Sequence, residues 1–249
     1  MKRILTFALA LAMLLALCAC GADSAAAAPE SKPEAGQSAE ASAPAAPTES
    51  AEAAPAQTAD SNSKAGNRVL VVYFSRTGEN YTVGTISTGN TAIVGDLIAE
   101  SVGADVFEIV PVTPYPDSYD ECLEVATQEQ RSNARPTYVG EVEGWEDYDT
   151  VFFGYPIWWG DMPMIAYTFL ENHDFTGKTV IPFNTHEGSG QSGTQRTIES
   201  LCSGATVIDG LAVRGNTAQN DSAATQKSVT DWLDGMDFFG QALRKGAKA

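Results

Sequence analysis

The stretch from Val69 to Thr91 most limits what this chain can fold into, because a buried strand, a glycine turn and a helix start follow one another within it. Val69-Leu70-Val71-Val72-Tyr73-Phe74 is a continuous apolar run rich in β-branched residues, the pattern of a parallel strand covered on both faces. It stops at Ser75-Arg76-Thr77-Gly78. From Asn90 an amphipathic helix is predicted. Ile93, Val94, Leu97, Ile98 and Val102 share one stripe, Asp96 and Glu100 fall on the other side, and Asn90 or Thr91 is the cap. Glycine lets the backbone approach a ligand, the helix start offers unpaired N–H groups and partial positive charge, and the Ser and Thr hydroxyls add neutral donors. Together these hold a phosphate dianion. Neither of the two common nucleotide loops fits, since there is no Gly-Lys-Ser/Thr after a four-residue gap and no Gly-x-Gly-x-x-Gly.

The βα pattern then repeats. Asp105 to Val110 alternates as an edge-side strand would, and Ser118 to about Arg131 reads as a helix with Tyr119, Cys122, Leu123 and Ala126 inward. Asp149 to Gly154 is a buried third strand, followed by a helix from Pro163, a proline suited to the first turn. Lys178 to Phe183 is a fourth strand, Gly193 to Cys202 a fourth helix, Ala205 to Leu211 a fifth strand, and Asp221 opens a last helix with Val229, Trp232 and Leu233 inward. This alternation predicts an α/β fold, a doubly wound five-stranded parallel sheet in the order 2-1-3-4-5. Ligands bind such sheets at the carboxyl ends of the strands, beside the first and third.

The beginning of the chain reads differently. Lys2-Arg3 precedes an apolar core from Ile4 to Leu17, shorter than the roughly 20 residues a spanning helix needs, and therefore an export signal. Leu17-Cys18-Ala19-Cys20-Gly21 resembles the bacterial lipoprotein cleavage box, which implies removal of residues 1–19 and lipid on Cys20. Residues 20–66 are Ala, Pro, Ser and Glu with almost no large apolar side chains, too little to offset ordering entropy, and are expected to form a disordered tether. The folded domain is expected over 67–240 and a frayed tail over 241–249. The protein is thus expected to be extracytoplasmic and held to a bacterial membrane through its lipid. Of four cysteines only Cys122 and Cys202 fall in the domain, on helices near opposite edges of the sheet, so buried thiols are expected rather than a disulfide. The formal charge of −17 excludes nucleic-acid binding by phosphate neutralisation.

The loops after the first, third and fourth strands share one rim. After the third comes Gly154-Tyr155-Pro156-Ile157-Trp158-Trp159-Gly160, and after the fourth Asn184-Thr185-His186-Glu187-Gly188 followed by small residues. Adjacent tryptophans in a loop suit stacking on a flat apolar ring, the polar loop suits a ring edge, and His186 is a candidate proton donor. The two histidines, His173 and His186, are too few and too separated for a zinc site, and no metal is expected.

With Glu79–Gly89 set aside as an insertion, the first loop reads Ser-Arg-Thr-Gly-Asn-Thr and resembles the phosphate loop of the flavodoxin family. The run Asp149 to Gly160, then Phe175-Thr176-Gly177-Lys178, then Pro182-Phe183-Asn184-Thr185-His186 resembles the FMN-binding bacterial flavodoxin branch. The resemblance covers Val69 to Leu233. It implies FMN, with Ser75, Arg76, Thr77, Gly78, Asn90 and Thr91 at the phosphate. Pro156, Ile157, Trp158, Trp159 and Gly160 would frame the ring, with Thr185, His186, Glu187 and Gly188. The insertion is expected to place Asn80 or Tyr81 over the site as a lid. Three functions follow as expectations. The leading one is a noncovalent FMN protein passing electrons to a redox partner protein or a small-molecule acceptor. The second is an FMN-dependent NAD(P)H reductase of quinones or nitro compounds, and the third a non-catalytic ligand-binding lipoprotein.

Overall fold

The computed structural model describes residues 68–238; the expected leader, the lipidated Cys20, the tether and the tail lie outside the described residues. In chain order the elements are β1 (Arg68–Tyr73), β2 (Gly78–Asn80), β3 (Gly84–Ile86), α1 (Asn90–Val102), β4 (Asp105–Glu108) and α2 (Tyr119–Ser132). After a short 3-10 turn at Trp145–Asp147 come β5 (Tyr148–Pro156), α3 (Met164–Asn172), β6 (Thr179–His186), α4 (Thr194–Leu201), β7 (Thr206–Val207) and β8 (Leu211–Arg214). Two helices, α5 (Gly215–Asn220) and α6 (Ser222–Gly235), end the described chain.

All pairing in the main sheet is parallel, in the order β4-β1-β5-β6-β7, with β8 also on β6. This is the expected 2-1-3-4-5 order with one difference. The fifth strand is broken: β7 pairs with Thr179 and Val180, and β8 pairs with Phe183 to His186. Pro182, which has no N–H to offer a ladder, lies opposite the break. Gly210 passes so close that a Cβ there would stand 2.5 Å from the Pro182 carbonyl oxygen. β4 is shorter than expected and forms the edge. Beyond it Pro111 makes an antiparallel bridge to Tyr138.

Successive residues of β1, β5 and β6 face opposite layers, so one apolar run supplies two cores. Leu70, Val72, Val151, Phe153 and Val180 pack with Ile165 and Phe169 of α3 and Ile198 of α4. Val71, Phe152, Ile181 and Phe183 pack with Val94 and Ile98 of α1 and Val229 and Leu233 of α6. Each fully buried side chain of this size contributes roughly 1.5–3 kcal/mol. Close packing fixes Gly154, where a Cβ would collide with the Phe183 ring. Two helix starts follow their sequence signals: the Ser118 hydroxyl accepts from the Glu121 N–H (3.5 Å) and the Asp221 carboxylate from the Ala224 N–H (2.9 Å). At α1 the expected cap, Asn90 or Thr91, is not one: both lie inside the helix, whose N-cap residue is Gly89. Cys122 and Cys202 are free and buried, as expected.

Candidate ligand-binding cleft

The expected insertion is a structured β-hairpin, β2 paired antiparallel with β3. Its placement changes how the loop before α1 is assembled. Gly78 turns away into the hairpin, where a Cβ would stand 2.9 Å from the Asp117 carbonyl oxygen, and the Glu79 N–H donates to that same oxygen at 2.8 Å. Gly89, the N-cap residue of α1, takes the place beside Ser75 and Arg76: a Cβ there would overlap the Ser75 hydroxyl and come within 2.7 Å of the Arg76 carbonyl oxygen. The segment that can be removed to leave a continuous loop is therefore Thr77–Ser87, and the loop is Ser75-Arg76 followed by Thr88-Gly89-Asn90-Thr91. The Ser75 hydroxyl accepts from the Ala92 N–H at 3.0 Å and caps α1. Thr91 and Thr185 share a buried hydroxyl bond of 2.8 Å that locks α1 to β6.

Arg76 is not a free cation. Its Nε and Nη2 donate to the Pro116 carbonyl (3.2 and 2.6 Å), Nη2 also to those of Asp117 and Ser118, and Nη1 to that of Glu79 at 2.6 Å. The guanidinium ties β2 to the loop that enters α2. On its other flank the cleft is formed by a two-residue turn in which Trp158 and Asp161 exchange backbone hydrogen bonds of 2.8 and 3.0 Å. Trp159 (φ +52°) and Gly160 (φ +76°) occupy the corner. Both angles are positive, the geometry of a type I′ turn, which normally takes Asn-Gly. A bulky residue in the left-handed region costs about 1–2 kcal/mol. The two indoles then separate: Trp158 packs edge-on to Phe74 and Tyr115, at 5.5 and 5.1 Å between centroids, whereas Trp159 stays 57% exposed.

His186, at the end of β6, accepts the Gly188 N–H on Nδ1 at 2.9 Å, so its neutral ring carries the proton on Nε2. Burial, and then the charge of Arg214 at the end of β8, hold its pKa below the usual histidine value, against a smaller opposing effect of Glu187. His173 is shifted the same way, chiefly by burial. For both, the unfolded chain binds the proton first. Their contribution to stability is complete above the ordinary value of about 6.5 and is lost as pH falls through the folded pKa. NMR titration is expected to give both imidazoles midpoints below about 6.5. Arg214→Gln should raise the His186 midpoint and leave that of His173 unchanged; an unmoved His186 midpoint would refute the Arg214 contribution. His186 is thus a hydrogen-bond donor at neutral pH rather than a charged acid.

Of the residues named from the sequence, the structure brings Arg76, Asn80, Asn90, Pro156, Ile157, Trp158, Trp159, Thr185, His186 and Glu187 into one cleft. Ser75, Thr77, Gly78, Thr91, Gly160 and Gly188 are not among its lining residues. Tyr81, named with Asn80 as the residue the insertion brings to the site, lines it too, and α2 adds Tyr119, Cys122, Leu123 and Ala126, which sequence periodicity marks only as an inward helix face. Thr88 and Arg214 were not foreseen. Asn90 presents a further signal, a buried Oδ1 with no hydrogen-bond partner. On the other side of Asn90, α5 is pressed in close: a Cβ on Gly215 would overlap the Asn90 amide, and the Asn216 N–H donates to Glu187 at 2.7 Å.

An open parallel sheet in this strand order, with a glycine and hydroxyl loop at the start of α1 and an aromatic cleft at the strands' carboxyl ends, defines the flavodoxin-like class of α/β proteins. A family model described as flavodoxin matches residues 68–236. The chain belongs to the flavodoxin family. Two similar solved structures are candidate flavoproteins from Bacteroides eggerthii and Bacteroides uniformis, each 29% identical to this chain, with TM-scores of 0.54 and 0.55. The first match covers 67% of this chain and 96% of the other, the second 68% and 99%. No curated protein sequence shows significant similarity.

Proposed function

We propose that this protein binds FMN noncovalently in the cleft and passes electrons, as an extracytoplasmic protein tethered to a bacterial membrane through lipid on Cys20. The observation that carries the reading is the convergence of Asn90 from the start of α1, Ile157 to Trp159 after β5 and Thr185 to Glu187 after β6 on one cleft in a flavodoxin-family chain. The residues present fit the cofactor. Asn90 Oδ1 is an acceptor awaiting a donor, which a ribityl hydroxyl supplies; the α1 N-terminus suits the phosphate; Trp159 offers an exposed aromatic face, and His186 Nε2–H a donor to a ring carbonyl. FMN, when bound, supplies the redox chemistry, and the protein sets its orientation and exposure. The lipid and the tether rest on the sequence of the N-terminal region.

Titration of FMN into the full chain is expected to quench flavin fluorescence at one equivalent. Trp159→Ala should weaken binding by about tenfold, the loss of one aromatic stacking contact, and Asn90→Leu should weaken it by a similar factor. No quenching at tens of micromolar FMN would overturn the reading. A second reading, an FMN-dependent NAD(P)H reductase, gains from Arg214, an exposed cation close to Gly188 at the rim. NAD(P)H oxidation by the loaded protein with a quinone acceptor separates reductase from carrier.

A further inference from the structure

Glu129 stands where a carboxylate is least favoured, in the last turn of α2. The helix ends at Ser132, so its carbonyl end already carries partial negative charge, and the chain as a whole stands at −17. Glu129 Oε2 accepts the Tyr115 hydroxyl at 2.9 Å, and Oε1 has no hydrogen-bond partner among the described residues. Burial raises the carboxyl pKa, offset only by the Tyr115 hydrogen bond, and no cation enters that balance. Arg135, which lines the same groove, is committed elsewhere. Its Nε and Nη2 donate to Glu171 at 2.6 and 2.7 Å, and its Nη1 to the Asn133 and Ala134 carbonyls and to Asn133 Oδ1. Arg131, in the same turn, is exposed. A carboxylate taken partly out of water without a counter-ion is costly, and neither guanidinium offsets that cost.

Glu129 lines an open groove of about 520 Å³, a size that suits a small ligand. Its apolar lining is Pro114, Pro116 and Pro136, the Tyr115 ring, and Val125 one turn before Glu129 on α2. Tyr115 also packs against Phe74 and Trp158, at 5.5 and 5.1 Å between centroids, and so separates the groove from the cleft at the strand ends. The two share no lining residue. A metal ion needs several oxygen ligands, and no group of three acidic, histidine or cysteine side chains forms among the described residues. Proline rings and valine methyls suit methylene groups instead, as along the stems of long charged side chains. We propose that this groove is a second binding site, for a primary ammonium on an aliphatic stem, with the ammonium on Glu129 Oε1 and the stem along Val125 and the three prolines. The site stands independently of the FMN reading.

The test titrates n-pentylamine into the full chain at constant ionic strength and neutral pH, followed by NMR. Saturable binding at one equivalent is expected, with the amide signals of Val125, Glu129 and Thr137 moving together. Glu129→Gln should weaken it by at least about tenfold, the loss of a hydrogen bond between charged groups. Glu124→Gln, an exposed carboxylate on the same helix, should change nothing. Methylamine should bind at least about tenfold more weakly than pentylamine, since most of the buried stem is gone. The acetylated, amidated tripeptide Val-Lys-Val identifies the source of the ammonium. Tighter binding than pentylamine assigns the site to a lysine of a partner protein, whose flanking apolar side chains would cover the exposed Val112 and Val139 beside Thr137; binding no tighter assigns it to a free amine. Val125→Lys sets an ammonium of the chain's own one turn from Glu129 and should abolish binding of both probes, which keeps the site decidable if Glu129→Gln fails to fold. Non-saturable binding, an unaltered affinity in Glu129→Gln or in Val125→Lys, or methylamine binding as well as pentylamine overturns the site.

Discussion

Replacing Gly89 with alanine is expected to lower FMN affinity by about a hundredfold and to destabilise the fold by about 2 kcal/mol. The backbone at Gly89 (φ −70°, ψ 151°) is open to any residue, so the effect is steric and not conformational. A Cβ would overlap the Ser75 hydroxyl, which can rotate away, but it would also stand 2.7 Å from the Arg76 carbonyl oxygen and 2.9 Å from the Arg76 nitrogen, which cannot. The loop between β1 and α1 has to open. Overpacking of this kind costs about 1–3 kcal/mol. Rotation of Ser75 also releases the Ala92 N–H that it caps, worth about 1 kcal/mol. The loop that opens is the one expected to meet the phosphate, and two lost hydrogen bonds to a charged group correspond to about a hundredfold in affinity. Urea denaturation and flavin fluorescence read the two effects separately. Gly235→Ala, in α6 and with nothing within 4 Å of the added carbon, is the control: it should leave FMN affinity unchanged and raise stability by up to about 1 kcal/mol, the helix preference for alanine. Unaltered FMN affinity in Gly89→Ala would show that the ligand does not use this loop.

The parts of the fold legible in the sequence are those where one physical cause dominates. Val69 to Phe74 and Asp149 to Gly154 declare themselves because a strand covered on both faces has no reason to alternate. The helix starts at Ser118 and Asp221 carry their own caps, and Pro163 marks the start of α3 through its fixed backbone rather than through a capping bond. The loop before α1 is harder to place, because Thr-Gly occurs twice, as Thr77-Gly78 and Thr88-Gly89, and either pair closes an equally good string. Only the packing of Gly78 on Asp117 and of Gly89 on Ser75 and Arg76 separates them. The broken fifth strand has its cause in another strand, at Pro182, where no local window on Ala205 to Leu211 would register it. Arg214 carries no local signal for the same reason: it reaches His186 through pairing of β8 with β6, a non-local contact. Adjacency alone does not separate Trp158 from Trp159; the turn at Gly160 divides them into one half-buried and one exposed ring.

The residue whose role the sequence least discloses, Arg76, carries the second large effect. Arg76→Ala is expected to destabilise the protein by about 3–4 kcal/mol and to make the hairpin 77–88 sensitive to proteolysis. The residue is only 9% exposed, and its guanidinium donates to carbonyls of Glu79, Pro116, Asp117 and Ser118. The Asp117 and Ser118 oxygens keep a backbone donor each, from Glu79 and Cys122. The Pro116 oxygen takes two of its bonds from the guanidinium itself. Hydrogen bonds to a charged group contribute roughly 1.5–3 kcal/mol each, and a buried acceptor left without a donor costs about 1–3 kcal/mol. Against these stands the desolvation of the guanidinium, regained on its removal, which is why the net loss is set below the sum of the bonds. Arg76→Lys should recover less than half of it, since an ammonium is a compact point charge that cannot reproduce a planar fork serving two segments. Arg214→Gln, on the same rim but exposed, should stay within about 0.5 kcal/mol of the parent. Chemical denaturation ranks the three. Should Arg76→Ala lose less than about 1 kcal/mol, in the range of an ordinary surface substitution, the carbonyls have found water and the hairpin stands without its strap. If instead the loss is large and Arg76→Lys fails to restore it, the hairpin that brings Tyr81 to the cleft and onto Tyr119 is held by one guanidinium.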